Sequence, residues 1–260
     1  MSSPAGRPRT PSGWDAAMYR SFSAFLHVLA LGAPSSRLHE SDGLLATIVL
    51  GTPEESFFNS VIYEHPHALA GGLEELALIY AGEGIEAWTV WVPATDAESA
   101  ALLESAGHRL DASSEAMILE LSDLPDVPLG DLDWSSDAPI DRVARINDVA
   151  YGHQGGPFVH ALAATPPGTY RTYEARVNGE SAAVLGTLDH EGDCALLWVA
   201  TLPAAQGQGL AKRLLRQALA EARERGCVTA TLEATKEGQP LYERLGFQAI
   251  GALQMWERRG

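Results

Sequence analysis

The stretch TLPAAQGQGLAKRLL, from Thr201 to Leu215, decides the fold that this sequence predicts. Two glycines in it stand directly before Leu210–Arg225, whose apolar residues recur along one face and predict the strongest helix in the chain. Gly226 is suited to end that helix, and a strand-favouring run, Cys194–Ala200, precedes the turn. A strand, a glycine turn and a helix in this order leave unpaired backbone N–H groups at the positive end of the helix dipole, where an anion binds favourably.

The residues around the turn favour a phosphate ligand over a plain tight turn. Glycines let the backbone approach a pyrophosphate closely. Lys212 and Arg213 stand in the first helical turn, where cations are unfavourable unless a bound anion offsets them. Two common phosphate motifs are excluded, because the sequence has no Gly-Lys-Ser/Thr triplet and Lys212 occupies the third glycine position of a dinucleotide-binding turn.

The composition of residues 122–137, SDLPDVPLGDLDWSSD, divides the chain. This segment holds prolines, a glycine and five aspartates without periodicity, which predicts a linker. We therefore predict a disordered tail over residues 1–13, a first domain over 14–121, the linker, and a second domain over 138–260. The tail, MSSPAGRPRTPSG, lacks the apolar segment of a signal peptide.

The second half alternates between helical and strand patterns. Helices are predicted over Ile140–Tyr151, Pro157–Ala164 and Gln239–Leu245; strands over Thr169–Val177, Ala182–Leu188, Cys194–Ala200 and Val228–Glu233; and one or two strands over Phe247–Trp256. The first half ends in a similar way, since residues 84–92 match 226–234 and residues 101–121 match 240–260. This similarity predicts a duplicated domain, with a generic strand-helix-strand ending as the alternative.

Gln206, Gly209 and Ala211 form the pattern Gln-x-x-Gly-x-Ala, which resembles the acetyl-CoA pyrophosphate signature of the GNAT superfamily of N-acetyltransferases. Further along, GQPLYERLGF (residues 238–247) resembles the short fourth helix of that family and the turn after it. The resemblance covers residues 131–260. With the duplication, it implies an α+β (mixed α/β) chain of two GNAT-like domains, each a twisted mixed, mostly antiparallel sheet flanked by helices.

The resemblance implies direct attack of a primary amine on acetyl-CoA, the expected cosubstrate. In the family, a backbone N–H on the fourth strand binds the thioester oxygen, which corresponds to Val199 here. Tyr242 matches the general-acid tyrosine, with a packing tyrosine as the alternative. The remaining residues expected to bind acetyl-CoA are Ala200, Thr201, Gln206, Gly207, Gln208, Gly209, Leu210, Ala211 and Lys212.

The amine must lose a proton, and a carboxylate is the usual acceptor. Glu233 at the end of one strand and Glu174 on another are the candidates, with His153 as a further possibility; an exposed surface position is the alternative for each. Trp198 is expected to pack in the core or to line an acceptor pocket.

The first half departs from the family pattern. Its segment His65–Tyr80 contains Gly71 and Gly72 but no pyrophosphate signature. We expect its helix to begin with Glu74 and Glu75, whose charges would repel the phosphates of CoA. A single CoA site in the second half follows, with a degenerate first domain that shapes the acceptor cleft or is simply structural.

The composition narrows the function classes. The formal net charge is −16, and residues 1–130 contain five Arg and no Lys against 18 acidic residues, so a nucleic-acid partner is not expected. No apolar run reaches the length that spans a bilayer. Two cysteines, Cys194 and Cys227, form neither a disulfide framework nor a metal cluster, and we expect buried thiols, no metal and a cytoplasmic protein.

These observations leave three functional hypotheses. The first is an N-acetyltransferase acting on an amine of a small molecule, peptide or protein, as a monomer or homodimer. The second is a transferase for a longer acyl group, which the sequence does not separate from the first. The third is a non-catalytic CoA-binding sensor or partner-binding module, which would keep the glycine turn without needing Tyr242.

Overall fold

The computed structural model describes residues 13–125 and 130–260. The first half contains α1 (Ala16–Leu29), β1 (Arg37–Ser41), β2 (Leu44–Ile48), β3 (Ser60–Tyr63), α2 (Pro66–Gly82), β4 (Ala87–Pro93), α3 (Ala97–Ser105) and β5 (Arg109–Glu120). The second half contains β6 (Trp134–Ser135), α4 (Ile140–Tyr151), α5 (Pro157–Leu162), β7 (Arg171–Val177), β8 (Glu180–His190), β9 (Asp193–Thr201), α6 (Leu210–Glu224), β10 (Thr229–Ala234), α7 (Gln239–Glu243) and β11 (Gln248–Arg259).

Local signals explain where these helices begin and end. The carboxylate of Asp15 accepts hydrogen bonds from the amides of Ala17 and Met18 at the start of α1. Gly152, in the left-handed conformation, ends α4. The predicted helices of the second half are confirmed with small differences at their ends, and the segment after Phe247 is one strand.

The strands form one mixed sheet in the order β1-β2-β3-β4-β11-β5-β10-β9-β8-β7-β6. Within the described residues, β3–β4 and β9–β10 are parallel and the other neighbouring strands are antiparallel. This confirms a mixed, mostly antiparallel arrangement.

The last strand of each half pairs on both sides with strands of the other half. Strand β5 lies between β11 and β10, and β11 lies between β4 and β5. The structure therefore differs from the prediction of a separate sheet in each domain, because one continuous sheet includes both halves. Backbone pairing between distant strands leaves no local signal in the sequence, which is why the periodicity did not predict this exchange.

Helix α1 lies on the face of the sheet shared by the two halves. It contacts β2 of the first half and also β8, β9 and β10 of the second, so the sheet curves around it. Its buried residues Met18, Phe22 and Phe25 join one apolar core with Val184 and Trp198 of the second half. Burial of this shared core stabilises the two halves as one body.

The predicted linker and tail fall partly on residues outside the described ranges. Residues 1–12 of the tail and 126–129 of the linker are among these. The described part of the linker contains a single 3-10 turn, Leu121–Asp123, and then β6, which pairs with β7. Both cysteines are buried and free, as predicted. None of the helices in the described ranges has the length and apolar character needed to cross a membrane.

Candidate active site

The glycine turn leads into an uncapped helix. Gly207 and Gly209 are exposed and adopt positive φ angles of 78° and 72°, a conformation that favours glycine. Helix α6 begins after Gly209 with no side-chain cap and no acidic residue in its first turn. The amides of its first three residues, Leu210 to Lys212, have no acceptor within the helix and remain open to an anion.

The charged side chains at this turn suit a phosphate. Among the described residues, Arg213 pairs with Asp131, at 3.4 Å, and Asp131 is fully exposed. Lys212 forms no ion pair with any residue that the structure describes. The side chain of Gln206 lies 3.5 Å from the carbonyl oxygen of Thr201 and remains exposed. The turn therefore presents cations and N–H donors together.

A cleft opens where β9 and β10 separate. These two parallel strands pair at three successive positions, from Asp193–Thr229 to Ala195–Thr231. Beyond Ala195 they diverge toward the end of β9 that carries the glycine turn. Backbone groups along this part of β9 are therefore available to a ligand that extends from the turn into the cleft.

A bulge shapes the β9 side of the cleft. Register is lost between Leu197 and Ala200, and Trp198 has a φ of 51°, which is unusual for a residue with a side chain. The side-chain amide of Asn147 donates to the Trp198 carbonyl at 3.2 Å, and the Tyr151 hydroxyl donates to the Val199 carbonyl at 3.3 Å. The bulge, which includes Val199, is thus fixed from α4.

The side chain of Trp198 packs in the core, as the first of its two predicted roles requires. It is 7% exposed and makes an edge contact with Tyr170, their ring centroids 4.3 Å apart. Its ring also covers Gly186, where an added Cβ would lie 3.0 Å from the indole. A larger residue at Gly186 would push the indole and disturb the bulge.

Glu233 has the environment of a proton acceptor. It lies on β10 at the separating strands, facing α1, and is only partly exposed. Apart from its own backbone amide, no described residue hydrogen-bonds to its carboxylate. Burial of the carboxyl group raises its pKa to about 7, so a substantial fraction is ionised near neutral pH.

Tyr242 lies on α7, and the charge of Glu233 affects its pKa. The residue is 8% exposed and packs edge-on against Phe247. Burial, and then the charges of Tyr151 and Glu233, raise the pKa of Tyr242 above its usual range. The phenol therefore stays protonated at neutral pH and can donate its proton or a hydrogen bond.

The surroundings of Glu174 do not fit the predicted role of a base. The residue is 1% exposed and lies on β7, separated from β10 by two strands. Its carboxylate accepts from Arg142 at 2.8 Å and also from Arg176, Ser181 and Ser135. Burial alone would raise its pKa, but these hydrogen bonds lower it to about 2. A carboxylate held in this way anchors β6, β7, β8 and α4 and is a poor proton acceptor.

Replacing Glu174 with glutamine is expected to lower the free energy of unfolding by about 2 to 3 kcal/mol at pH 7, less than for a fully buried pair because both arginines retain contact with water. Because the folded-state pKa is lowered to about 2 from 4.5, this contribution is present above pH 4.5 and is lost as the pH falls toward 2. Urea unfolding of both proteins across this pH range measures it. Exposed Glu180→Gln on β8 is the matched control, and an effect as small as that of the control would contradict the anchoring role.

His153 faces the first half instead of the separating strands. Its ring lies 3.7 Å from the carboxylate of Glu55 and 5.6 Å, between centroids, from Phe158. The described contacts of His153 do not include Glu233 or Tyr242, so its position does not favour the role of a base at these residues.

The corresponding helix of the first half has a closed N-terminus. Helix α2 begins with Pro66, which has no N–H, and the ring of His65 accepts from the amide of Ala68 at 3.0 Å. The expectation that Glu74 and Glu75 open this helix is wrong, because the helix begins two turns earlier. Capping by His65 occupies one of the amides that an anion would use at this helix, whereas the N-terminus of α6 has no side-chain cap.

Sequence reasoning missed a buried cluster at the base of the cleft. The carboxylate of Asp193 accepts three hydrogen bonds of 2.6 Å, from the hydroxyls of Ser21, Thr229 and Thr231. These bonds fasten α1 to the short segment in which β9 and β10 pair. In the sequence, Asp193 ends the turn-like segment DHEGD (residues 189–193), so no local pattern indicates that its carboxylate binds three hydroxyl groups. Among the described residues, no group of three or more His, Cys, Asp or Glu side chains is arranged to hold a metal ion.

Comparison with known proteins identifies the second half. Residues 168–249 match the model of the acetyltransferase (GNAT) domain. The chain is 41% identical over 81 residues to the uncharacterized N-acetyltransferase YjgM of Escherichia coli strain K12, a match that includes 30% of this chain and 48% of YjgM. The chain thus spans about half the length of the curated relative it matches. Residues 168–249 are thus similar to a GNAT acetyltransferase domain.

Solved structures extend the similarity of fold to most of the chain. The GCN5-related N-acetyltransferase from Kribbella flavida superposes with a TM-score of 0.67 at 18% identity, covering 93% of this chain and 96% of that one. A tandem GNAT protein from the clavulanic acid biosynthesis pathway gives a TM-score of 0.58 at 14% identity, covering 92% and 94%. At these identities the comparison establishes a mixed α/β GNAT-like fold.

Proposed function

We propose that this protein transfers the acetyl group of acetyl-CoA to a primary amine of a small molecule or peptide, by direct attack in a ternary complex. The observation that supports this most strongly is the continuity of the site. An uncapped helix N-terminus with exposed glycines leads into a cleft that holds a carboxyl group with a pKa of about 7 and a protonated phenol. An anion site alone would not need these two groups.

Each group has a defined role in this proposal. The amides at the start of α6, with Lys212, bind the pyrophosphate, and the Val199 amide donates to the thioester oxygen as it gains negative charge. Glu233 takes a proton from the substrate ammonium, and the nitrogen then attacks the carbonyl carbon. The carbon–sulfur bond breaks, Tyr242 donates a proton to the departing thiolate, and the remaining extra proton on the new amide nitrogen returns the phenolate of Tyr242 to its protonated form.

We further infer that the chain arose by duplication and that only the second half binds acetyl-CoA. In both halves a helix, three strands, a helix, a strand, a helix and a strand follow in the same order, with β6 and α5 added in the second half. The closed N-terminus of α2 supports a degenerate first site. The alternative, a CoA-binding sensor or partner module, gives no reason for the environments of Glu233 and Tyr242.

Calorimetric titration with acetyl-CoA tests the binding part of the proposal. We expect one site per chain, and Gly209→Asp should weaken binding by about a hundredfold because it adds a carboxylate beside the phosphates. Since no atom lies within 4 Å of a Cβ added at Gly209, a steric clash within the protein is not the cause.

Gly179→Asp is the matched control for this titration. Gly179 also has a positive φ, 81°, lies in an exposed turn and has open space around an added Cβ. Both variants therefore gain the same charge and a comparable backbone strain. Equal affinities for acetyl-CoA in the two variants, or two sites per chain in the wild type, would contradict the proposed site.

A further inference from the structure

The direction of the cleft determines where an acyl group would lie. The glycine turn follows the C-terminal end of β9, Val199 comes before it, and Ala195, where pairing with β10 ends, comes earlier still. A CoA thioester bound at the turn, with its carbonyl at Val199, therefore directs its acyl group toward the point where the strands meet. Any additional carbon atoms of the acyl chain would enter the space between Ala195–Leu197 and Thr231–Glu233.

That space is small and is closed by a helix of the other half. The cavity there has a volume of about 10 Å³, which is room for about one water molecule or one methylene group. Met18, Phe22 and Phe25 of α1 form its far wall. These three side chains are 2%, 3% and 5% exposed, so the wall is part of the packed core.

The wall is held in place by contacts on both sides. Ser21, between Met18 and Phe22, donates to Asp193 at 2.6 Å, and Thr231 donates to the same carboxylate oxygen. The ring of Phe22 packs on Trp91, with centroids 4.9 Å apart. Because α1 is anchored to the second half and packed on the first, it cannot withdraw without disturbing both.

We propose that α1 of the first half sets the acyl length that the second half accepts, with Met18 and Phe22 as the residues that exclude acyl groups longer than acetyl. This inference rests on the proposed function. It gives the first half a part in the site, since the CoA-binding half alone would leave the cavity open. The donor class is then an acetyl thioester of CoA, and longer acyl thioesters are rejected for lack of space.

Calorimetry with CoA, acetyl-CoA, butyryl-CoA and hexanoyl-CoA tests this on the full chain and needs no knowledge of the acceptor. The wild type is expected to bind acetyl-CoA at least about tenfold more tightly than butyryl-CoA, since a buried methylene without space is disfavoured on that scale. Met18→Ala should remove most of this difference by enlarging the cavity. Phe22→Leu also removes three non-hydrogen atoms but leaves a branched apolar side chain in the wall, and it should act in the same direction if Met18→Ala does not fold.

Leu26→Ala is the matched control. Leu26 is fully buried on the same helix but does not line the cavity, so this variant should be destabilised while keeping the preference for acetyl-CoA. Equal wild-type affinity for acetyl-CoA and hexanoyl-CoA would overturn the inference, as would an identical acyl preference in the Leu26 and cavity variants. Failure to bind CoA itself would instead reject the proposed function, on which the inference depends.

Discussion

Tyr242→Phe is expected to lower kcat by at least about a hundredfold while changing the affinity for acetyl-CoA less than twofold. The substitution removes the one proton that the leaving thiolate can receive from α7 and retains the ring that packs against Phe247. Since the phenol is protonated at neutral pH, its loss affects the transition state more than the bound ground state. Release of CoA in the presence of the best acceptor from a library of primary amines measures kcat, and calorimetry measures affinity.

Tyr173→Phe provides the control for this experiment. Tyr173 is a buried tyrosine on β7 whose hydroxyl donates to Glu221 at 2.9 Å, away from the cleft. Its loss should cost stability but not turnover per folded molecule. Undiminished kcat in Tyr242→Phe would remove the general-acid assignment, and an equal loss in both variants would indicate a structural cause.

Glu233→Gln is expected to lower kcat/KM by about a hundredfold to ten-thousandfold, because the amide cannot accept the ammonium proton. The pH dependence gives a second signature. A base must be deprotonated to act, so in the wild type kcat/KM should rise with pH and level off above about 7, the raised pKa of this carboxyl. In the variant, the rise of kcat/KM near pH 7 should disappear, and only the pH dependence caused by ionisation of the substrate amine should remain.

Glu237→Gln is the corresponding control, since Glu237 is an exposed carboxylate in the loop after β10. It should leave both the rate and the pH profile unchanged. If the rise of kcat/KM near pH 7 persists in Glu233→Gln, another group or an ordered water removes the proton.

Features encoded by nearby residues could be predicted from the sequence. The glycine turn, helix α6 and the strand before them depend on periodicity and backbone conformation over a short stretch, and they lie where the sequence predicts them. The fold class was implied by the resemblance of residues 131–260 to the GNAT superfamily, which the glycine turn and the segment 238–247 carry. The sequence could not show which of Glu174 and Glu233 is the better proton acceptor, because both lie on strands. The two residues differ in that arginines from other segments pair with Glu174.

Two further features depend on contacts between distant parts of the chain. The Ser21–Asp193 hydrogen bond joins the first helix to β9, and nothing near either residue indicates the other. The order of the central strands also depends on contacts between distant segments, because β5 and β11 could each pair with strands of either half. Two halves with the same order of elements make that choice especially hard to predict, because each last strand is compatible with either half.

The exchange of β5 and β11 has a consequence for how the protein is made. During synthesis the first half emerges without β11, the strand that will lie between its own β4 and β5. Neither half can therefore complete its part of the sheet until β11 has been synthesised, and folding is expected to be slow and cooperative, as for other sheets rich in long-range pairing. The folded protein that results does not divide into two independent halves.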